Sequence, residues 1–184
     1  MPERLYFAYG SNMHTAEMLE HCPSAKYVSP ARLNGWRLVF THDSARWLGG
    51  VADIVRLGSP EDTRLLDPAG LSRGVDGICP LSPVRGVLWD VDDASLAALH
   101  AAQGYDPARP REENDSELLH LEVLELEKMT RRVAAFAYGI VHKEPRHRVP
   151  HAGYMDLVVE GARLHGLPEE YWHELRHVEI AGED

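Results

Sequence analysis

The segment Tyr9-Gly10-Ser11-Asn12 follows the β-prone run Arg4-Leu5-Tyr6-Phe7-Ala8 and precedes Met13, Met18, Leu19 and Cys22, which roughly follow a helical stripe. A strand that enters a helix through such a turn leaves several backbone N–H groups unpaired, beside the positive end of the helix dipole. A nest of this kind holds a carboxylate or a phosphate. Glycine lets the backbone approach the ligand, and Ser11 or Asn12 can cap the helix while offering a side-chain donor. The same residues also make an ordinary capped turn with no ligand, so turn chemistry alone leaves both readings open.

A second constellation is His173-Glu174-Leu175-Arg176-His177, the H-E-x-x-H pattern. On a helix it puts two imidazoles on one face as zinc ligands and a glutamate beside a bound water, the arrangement of a zinc peptidase. Such enzymes need a third ligand, and the ligand types after His177 are Glu179, Glu183 and Asp184. The alternative is two solvated histidines. His142, His147 and His151, with Arg146 and Arg148 between them, could attract an anionic substrate tail or simply form an exposed loop before α-helical sequence. No Ser-His-Asp order with a nucleophile elbow is present, and neither Cys22 nor Cys79 has a setting that activates a thiol.

The elements that must position these residues follow from periodicity. Arg32 to Thr41 reads as a strand in which Asn34-Gly35 marks a hairpin turn or a bulge, and Gly49 to Val55 reads as another. Residues 57–83 are rich in Gly, Pro, Asp and Ser without sustained periodicity, which predicts a surface insertion and a candidate lid. Val84 to Val91 resumes a strand. Asp92 or Asp93 then caps a helix carrying Leu96, Leu99 and Ala102, closed by Gly104. Leu119–Leu126 and Val133–Val141 form a hairpin, and helical sequence runs from Gly153 through Leu164, stops at Gly166 and restarts at Pro168. About six strands with three or four flanking helices predict an α+β fold built on a small curved or closed sheet. One domain over residues 1–184 accommodates all of it.

Composition excludes several partners. With 44% hydrophobic residues among 184, the chain can bury a sizeable core. Its 19 basic against 29 acidic residues give a formal net charge of -10, and no Lys/Arg run grips a phosphate backbone, so nucleic acid is not an expected partner. No apolar run suits a signal peptide or a membrane span. The two cysteines lack the pairing of a zinc knuckle or the density of a disulfide scaffold, which predicts reduced thiols and a cytoplasmic setting.

Tyr6-Phe7-Ala8-Tyr9-Gly10-Ser11-Asn12-Met13 resembles the signature that opens the gamma-glutamylcyclotransferases and their relatives. Gly49-Gly50-Val51-Ala52-Asp53-Ile54, Gly86-Val87-Leu88-Trp89, Ala137-Tyr138, Tyr154, Gly161-Ala162, Gly166-Leu167-Pro168 and Tyr171 are similar to that family's later landmarks, in the same order. The resemblance leaves out mainly the insertion at about 57–83. It implies a small mixed β-barrel flanked by helices, with the opening turn as the floor of a pocket for a small gamma-glutamyl molecule. It also implies a reaction in which the substrate's own α-amine attacks its γ-carbonyl and releases 5-oxoproline, with no cofactor and no metal. Gly10, Ser11 and Asn12 would seat the α-carboxylate beside Tyr9, and Tyr138 and Tyr154 would line the pocket.

One position departs from the pattern. The family's general base is a glutamate before a glycine, and this chain has Gln103-Gly104 there. A neutral amide orients an amine by hydrogen bonding but has no useful basicity. Three explanations fit: a binding protein that has lost turnover, a deliberate Glu→Gln change that freezes the substrate complex, or a base moved elsewhere. For the last, Asp106, Glu112 and Glu113 in the loop Tyr105 to Asn114 are the candidates, in a loop expected to border the pocket. A second departure is Leu118 and Leu119 where many members place an aromatic residue.

Overall fold

A computed structural model describes residues 4–66, 83–127 and 130–181. Five strands close into a barrel in the spatial order β1 (Leu5–Ala8), β5 (Val84–Asp90), β2 (Lys26–Leu33), β6 (Ser116–Glu125) and β7 (Arg131–Ile140). A closed ring with an odd number of strands cannot alternate direction all the way round. Four junctions are antiparallel and the fifth, β1 beside β7 at Tyr6 and Phe136, is parallel. The barrel is therefore mixed, as the resemblance implies.

The remaining strands, β3 (Trp36–Ser44) and β4 (Gly49–Arg56), form a two-stranded antiparallel arm. Asn34-Gly35 is the turn between β2 and β3, but the two strands do not pair: the turn passes the chain from barrel to arm, so it is neither hairpin nor bulge. The first half of β2 escapes a reading of periodicity because Pro30 sits within it and the register shifts between Tyr27 and Ser29. The arm lies against the segment that follows β7. Gly50 N–H donates to the Val149 carbonyl (2.9 Å), and Arg148 and Glu144 N–H groups donate to Phe40 and Thr41 carbonyls (2.9 and 2.7 Å).

Five α-helices are present among the described residues: α1 (Thr15–His21), α2 (Pro60–Leu66), α3 (Asp93–Ala102), α4 (Ala152–Leu164) and α5 (Glu169–Arg176). Asp92 caps α3 by accepting from Ser95 N–H at 2.7 Å. Helix α2 corrects the expectation of an aperiodic insertion after Leu57. Its anchor is polar: Arg37 Nε donates to Asp62 Oδ1 at 2.8 Å, both side chains nearly buried, and only Leu65 joins Val39 and Val55 in a small apolar cluster. A helix held mainly by an ion pair shows no apolar stripe. The rest of the insertion, with Cys79 and the candidate lid, lies outside the described residues.

The principal core gathers Phe7, Met13, Met18, Leu88, Leu99 and Val158, each fully buried. Cys22 is buried and unpaired in any disulfide, and burial pushes its thiol up, away from nucleophilic use. His165 at the end of α4 stacks on Tyr27 (ring centroids 4.6 Å) and meets the Trp89 ring edge-on. Burial, with a smaller push from His14, holds its pKa below 6.5, while Glu127 and the Met13 backbone pull the other way. The unfolded chain therefore takes this proton first, so the contribution to stability is complete above about pH 6.5 and is lost as pH falls below it. We expect the urea midpoint to drop between pH 7.5 and 5.5, and to drop less in His165→Phe, which keeps a stacked ring that does not titrate. Equal drops in the two proteins would remove His165 from the explanation.

Candidate active site

Strand β1 delivers Tyr9 and Gly10 to the barrel end, where a 3-10 turn, Ser11–Met13, intervenes before α1 begins at Thr15. This corrects two expectations. The turn does not open directly into an α-helix, and His14, not Ser11 or Asn12, occupies the N-cap position of α1, with no side-chain cap bond. Asn12 is used differently. Its carbonyl accepts from the Trp89 indole N–H (3.1 Å) and its Nδ2 donates to the Tyr6 hydroxyl (3.2 Å), so the turn is tied to β5 and β1.

Three amides were candidates for an anion seat. The Ser11 N–H is directed at the Tyr154 hydroxyl oxygen, which also accepts from Ala52 N–H at 3.0 Å. Among the described residues the Gly10 and Asn12 N–H groups have no hydrogen-bond partner. A hydroxyl oxygen has two lone pairs and one proton. Among the described residues the Tyr154 O–H has no acceptor, so it is left to donate. Burial pushes its pKa up to about 12, so the proton stays in place. Trp47 packs edge-on against this ring, centroids 5.2 Å apart.

Tyr9, Gly10, Ser11, Asn12, Gln103, Tyr138 and Tyr154 all line a single cavity of about 490 Å³. Elements distant in sequence converge there: the β1 turn, the end of α3, β7 and the start of α4. The Tyr9 hydroxyl donates to the Tyr138 carbonyl and is thereby committed, while burial and the nearby Asp53 carboxylate raise its pKa well above that of free tyrosine. The Tyr138 hydroxyl pairs with His100 Nδ1 at 2.6 Å. Burial, with Arg4 nearby, keeps His100 below its usual pKa and hence neutral at pH 7.

Gln103 is the C-cap of α3 and Gly104 takes φ +64°, the left-handed conformation that ends the helix. The three acids of the following loop do not reach the cavity. Asp106 pairs with Arg109 (3.3 Å) and accepts from Ala108 N–H, while Glu112 and Glu113 stand exposed on a 3-10 turn. Asn114 explains why: its side chain accepts from Asp106 N–H (2.7 Å) and donates to the Pro110 carbonyl (3.1 Å), pinching the loop shut on itself. The chain returns to the cavity one residue later, at Asp115 and Ser116. Leu118 and Leu119 do not line it.

Sequence reasoning missed the outer wall. It consists of His42, Asp43, Arg46 and Trp47 from the arm and His21 from α1, in place of the loop 105–114. Arg46 is held by Glu17 (3.1 Å) and His21 Nε2 (2.9 Å), and Asp43 by Arg148. The Trp47 ring, flanked by Arg46 and directly before Leu48, which has φ +54°, marks a tight arm tip that could have drawn notice.

The rival histidines are engaged elsewhere. His173 lies 3.3 Å from Glu169, and His177 Nδ1 contacts the His173 carbonyl at 2.8 Å. Among the described residues no group of three His, Cys, Asp or Glu side chains gathers as a metal-ligand set. His142, His147 and His151 separate into three jobs: a contact to the Glu112 carbonyl, an edge-on contact with Phe40, and the N-cap of α4. They do not make one anion-attracting patch.

A family model described as AIG2-like matches residues 83–175 of this chain. Gamma-glutamylcyclotransferases of Bos taurus and Mus musculus are 27% and 26% identical over 179 residues, covering 95% of this chain and 78% of theirs. A solved structure of a gamma-glutamyl cyclotransferase superposes with a TM-score of 0.75 at 26% identity, over 98% of this chain and 90% of that one.

Proposed function

Because the chain belongs to the AIG2-like family, we propose that it works as a gamma-glutamylcyclotransferase-like enzyme, releasing 5-oxoproline and an amine from a gamma-glutamyl amide. The observation that carries this reading is the convergence of Tyr9, Gly10, Ser11, Asn12, Gln103, Tyr138 and Tyr154 on one cavity. The α-carboxylate of the substrate rests on the Gly10 and Asn12 amides, with the Tyr154 O–H as a further donor. The Gln103 carboxamide oxygen accepts a hydrogen bond from the α-amine and orients it toward the γ-carbonyl.

Amine and carbonyl already belong to one molecule, so the seat contributes by freezing the few bonds that rotate between them and holding the nitrogen against the carbonyl carbon. The nucleophile comes from the substrate, and the acyl exchange involves no net oxidation, so neither a covalent enzyme intermediate nor a redox cofactor is required. The arm residues Asp43, Arg46 and Trp47 on the outer wall face the departing amine and set which one is accepted. No helix among the described residues is long and apolar enough to cross a membrane.

Gln103 favours a second reading, a binding protein of the same fold without turnover. Incubation with a panel of gamma-glutamyl amino acids and gamma-glutamyl amines, with 5-oxoproline quantified by chromatography, separates the two. We expect release by the natural chain. Absence of release from every compound, in the natural chain and in Gln103→Glu alike, would sink the enzymatic reading.

A further inference from the structure

Resting on the cyclotransferase reading, we infer that Asp115 is the residue that takes the proton from the substrate's α-ammonium, in a chain whose residue 103 cannot. Asp115 lines the same cavity as Gln103 and the Gly10–Asn12 seat. Its backbone is fixed on both sides, since its N–H donates to the Gly104 carbonyl (3.0 Å) and its carbonyl accepts from Val141 N–H (3.0 Å). The carboxylate lies directly over Gly104: a Cβ added there would stand 2.5 Å from Asp115 Oδ2 and 2.8 Å from its Cβ. Glycine at 104 thus serves twice, accepting φ +64° and leaving room for an acid beside Gln103.

Among the described residues the Asp115 carboxylate has no ion-pair or hydrogen-bond partner. The other acid on the wall, Asp43, is engaged by the Arg148 guanidinium (Nε at 2.8 Å), so its carboxylate already has a partner. Asp106, Glu112 and Glu113 are off the cavity. Among the described residues, one acid is therefore both present on the wall and without a partner.

The step balances as follows. One ammonium proton moves to an Asp115 carboxylate oxygen, and the freed amine nitrogen attacks the γ-carbonyl carbon, forming the ring C–N bond. The ring nitrogen then passes its second proton to the departing nitrogen as the original amide C–N bond breaks, and Asp115 returns the first proton to the released amine. The products are 5-oxoproline and the departing amine in its ammonium form, with the carboxylate restored.

The test uses the full chain, the best substrate of the panel, and the variants Asp115→Asn, Asp115→Glu, Gln103→Glu and the double change D115N/Q103E. General-base removal costs roughly 10²–10⁴-fold. We expect Asp115→Asn to lower kcat about 100-fold or more and to leave KM within about threefold. Asp115→Glu retains part of kcat, and the double variant recovers at least about tenfold over Asp115→Asn because an acid has returned beside the amine. Asp115 is exposed, so thermal unfolding of the variants should match the natural chain. Unchanged kcat in both Asp115 variants overturns the assignment and leaves the cyclotransferase reading standing. Release that appears only once Gln103→Glu is introduced also overturns it, because the natural chain then lacks any base. No release from the natural chain or from Gln103→Glu sinks the underlying reading, and this one with it.

Discussion

Asp53→Ala is expected to lower the unfolding free energy by about 2–5 kcal/mol, chiefly the cost of leaving two buried donors without an acceptor at roughly 1–3 kcal/mol each. Asp53 is completely buried in β4, and three donors converge on it from separate parts of the chain. Oδ2 accepts from the Thr41 hydroxyl (2.6 Å) and from Lys143 Nζ (2.5 Å), and Oδ1 accepts from Ile140 N–H (3.0 Å). Alanine strands all three and leaves a small void. Lys143 keeps some solvent contact and can swing outward, so the larger share of the loss falls on Thr41 and Ile140, whose groups have no such escape. Asp53→Asn should cost less, since it keeps an acceptor while losing the charge. Urea unfolding measures both, and a loss below about 1 kcal/mol for alanine would contradict the account.

The second expectation concerns the packing behind the anion seat. A Cβ at Gly161 in α4 would stand 2.5 Å from His14 N and 2.6 Å from the Met13 carbonyl carbon. Both are main-chain atoms that cannot rotate aside, so Gly161→Ala must drive the helix away from the 3-10 turn. Alanine in a helix interior ordinarily gains about 0.5–1 kcal/mol over glycine. Overpacking here costs about 1–3 kcal/mol and wins, so the variant is expected to be less stable than the natural chain. Function should suffer more, because displacement of the Gly10 and Asn12 amides by about 1 Å is worth up to roughly 100-fold in rate. The comparison is 5-oxoproline release against urea midpoint. A Gly161→Ala protein more stable than its parent, or equally active, defeats the argument.

The strands and helices with clean periodicity were legible from the residues alone: β1, β4, β5, the β6–β7 hairpin, and α3 with its Asp92 cap and Gly104 stop. So was the group of side chains now found around one cavity, through resemblance to a family and not through spacing. What was illegible has a common physical origin. Helix α2 is anchored by the Arg37–Asp62 pair, and charge pairs between distant residues leave no local pattern. The capping role assigned to Ser11 or Asn12 failed because Asn12 bonds to Tyr6 and Trp89, partners that exist only once the barrel has closed. The pocket wall was misassigned to residues 105–114 because nothing in the sequence announces that Asn114 folds that loop onto itself. Asp115, which does line the cavity, stands one position past that loop.

The separation of barrel from arm has a consequence for how such a chain diversifies. The seat proposed for the glutamyl portion belongs to the closed ring and its helices, whereas the tip spanning Asp43 to Trp47 projects from a two-stranded outrigger whose Leu38, Phe40 and Ile54 join the principal core. On the proposed reading, exchanging residues at the tip retailors the chamber for a different departing group while leaving the hydrogen-bonded hoop undisturbed.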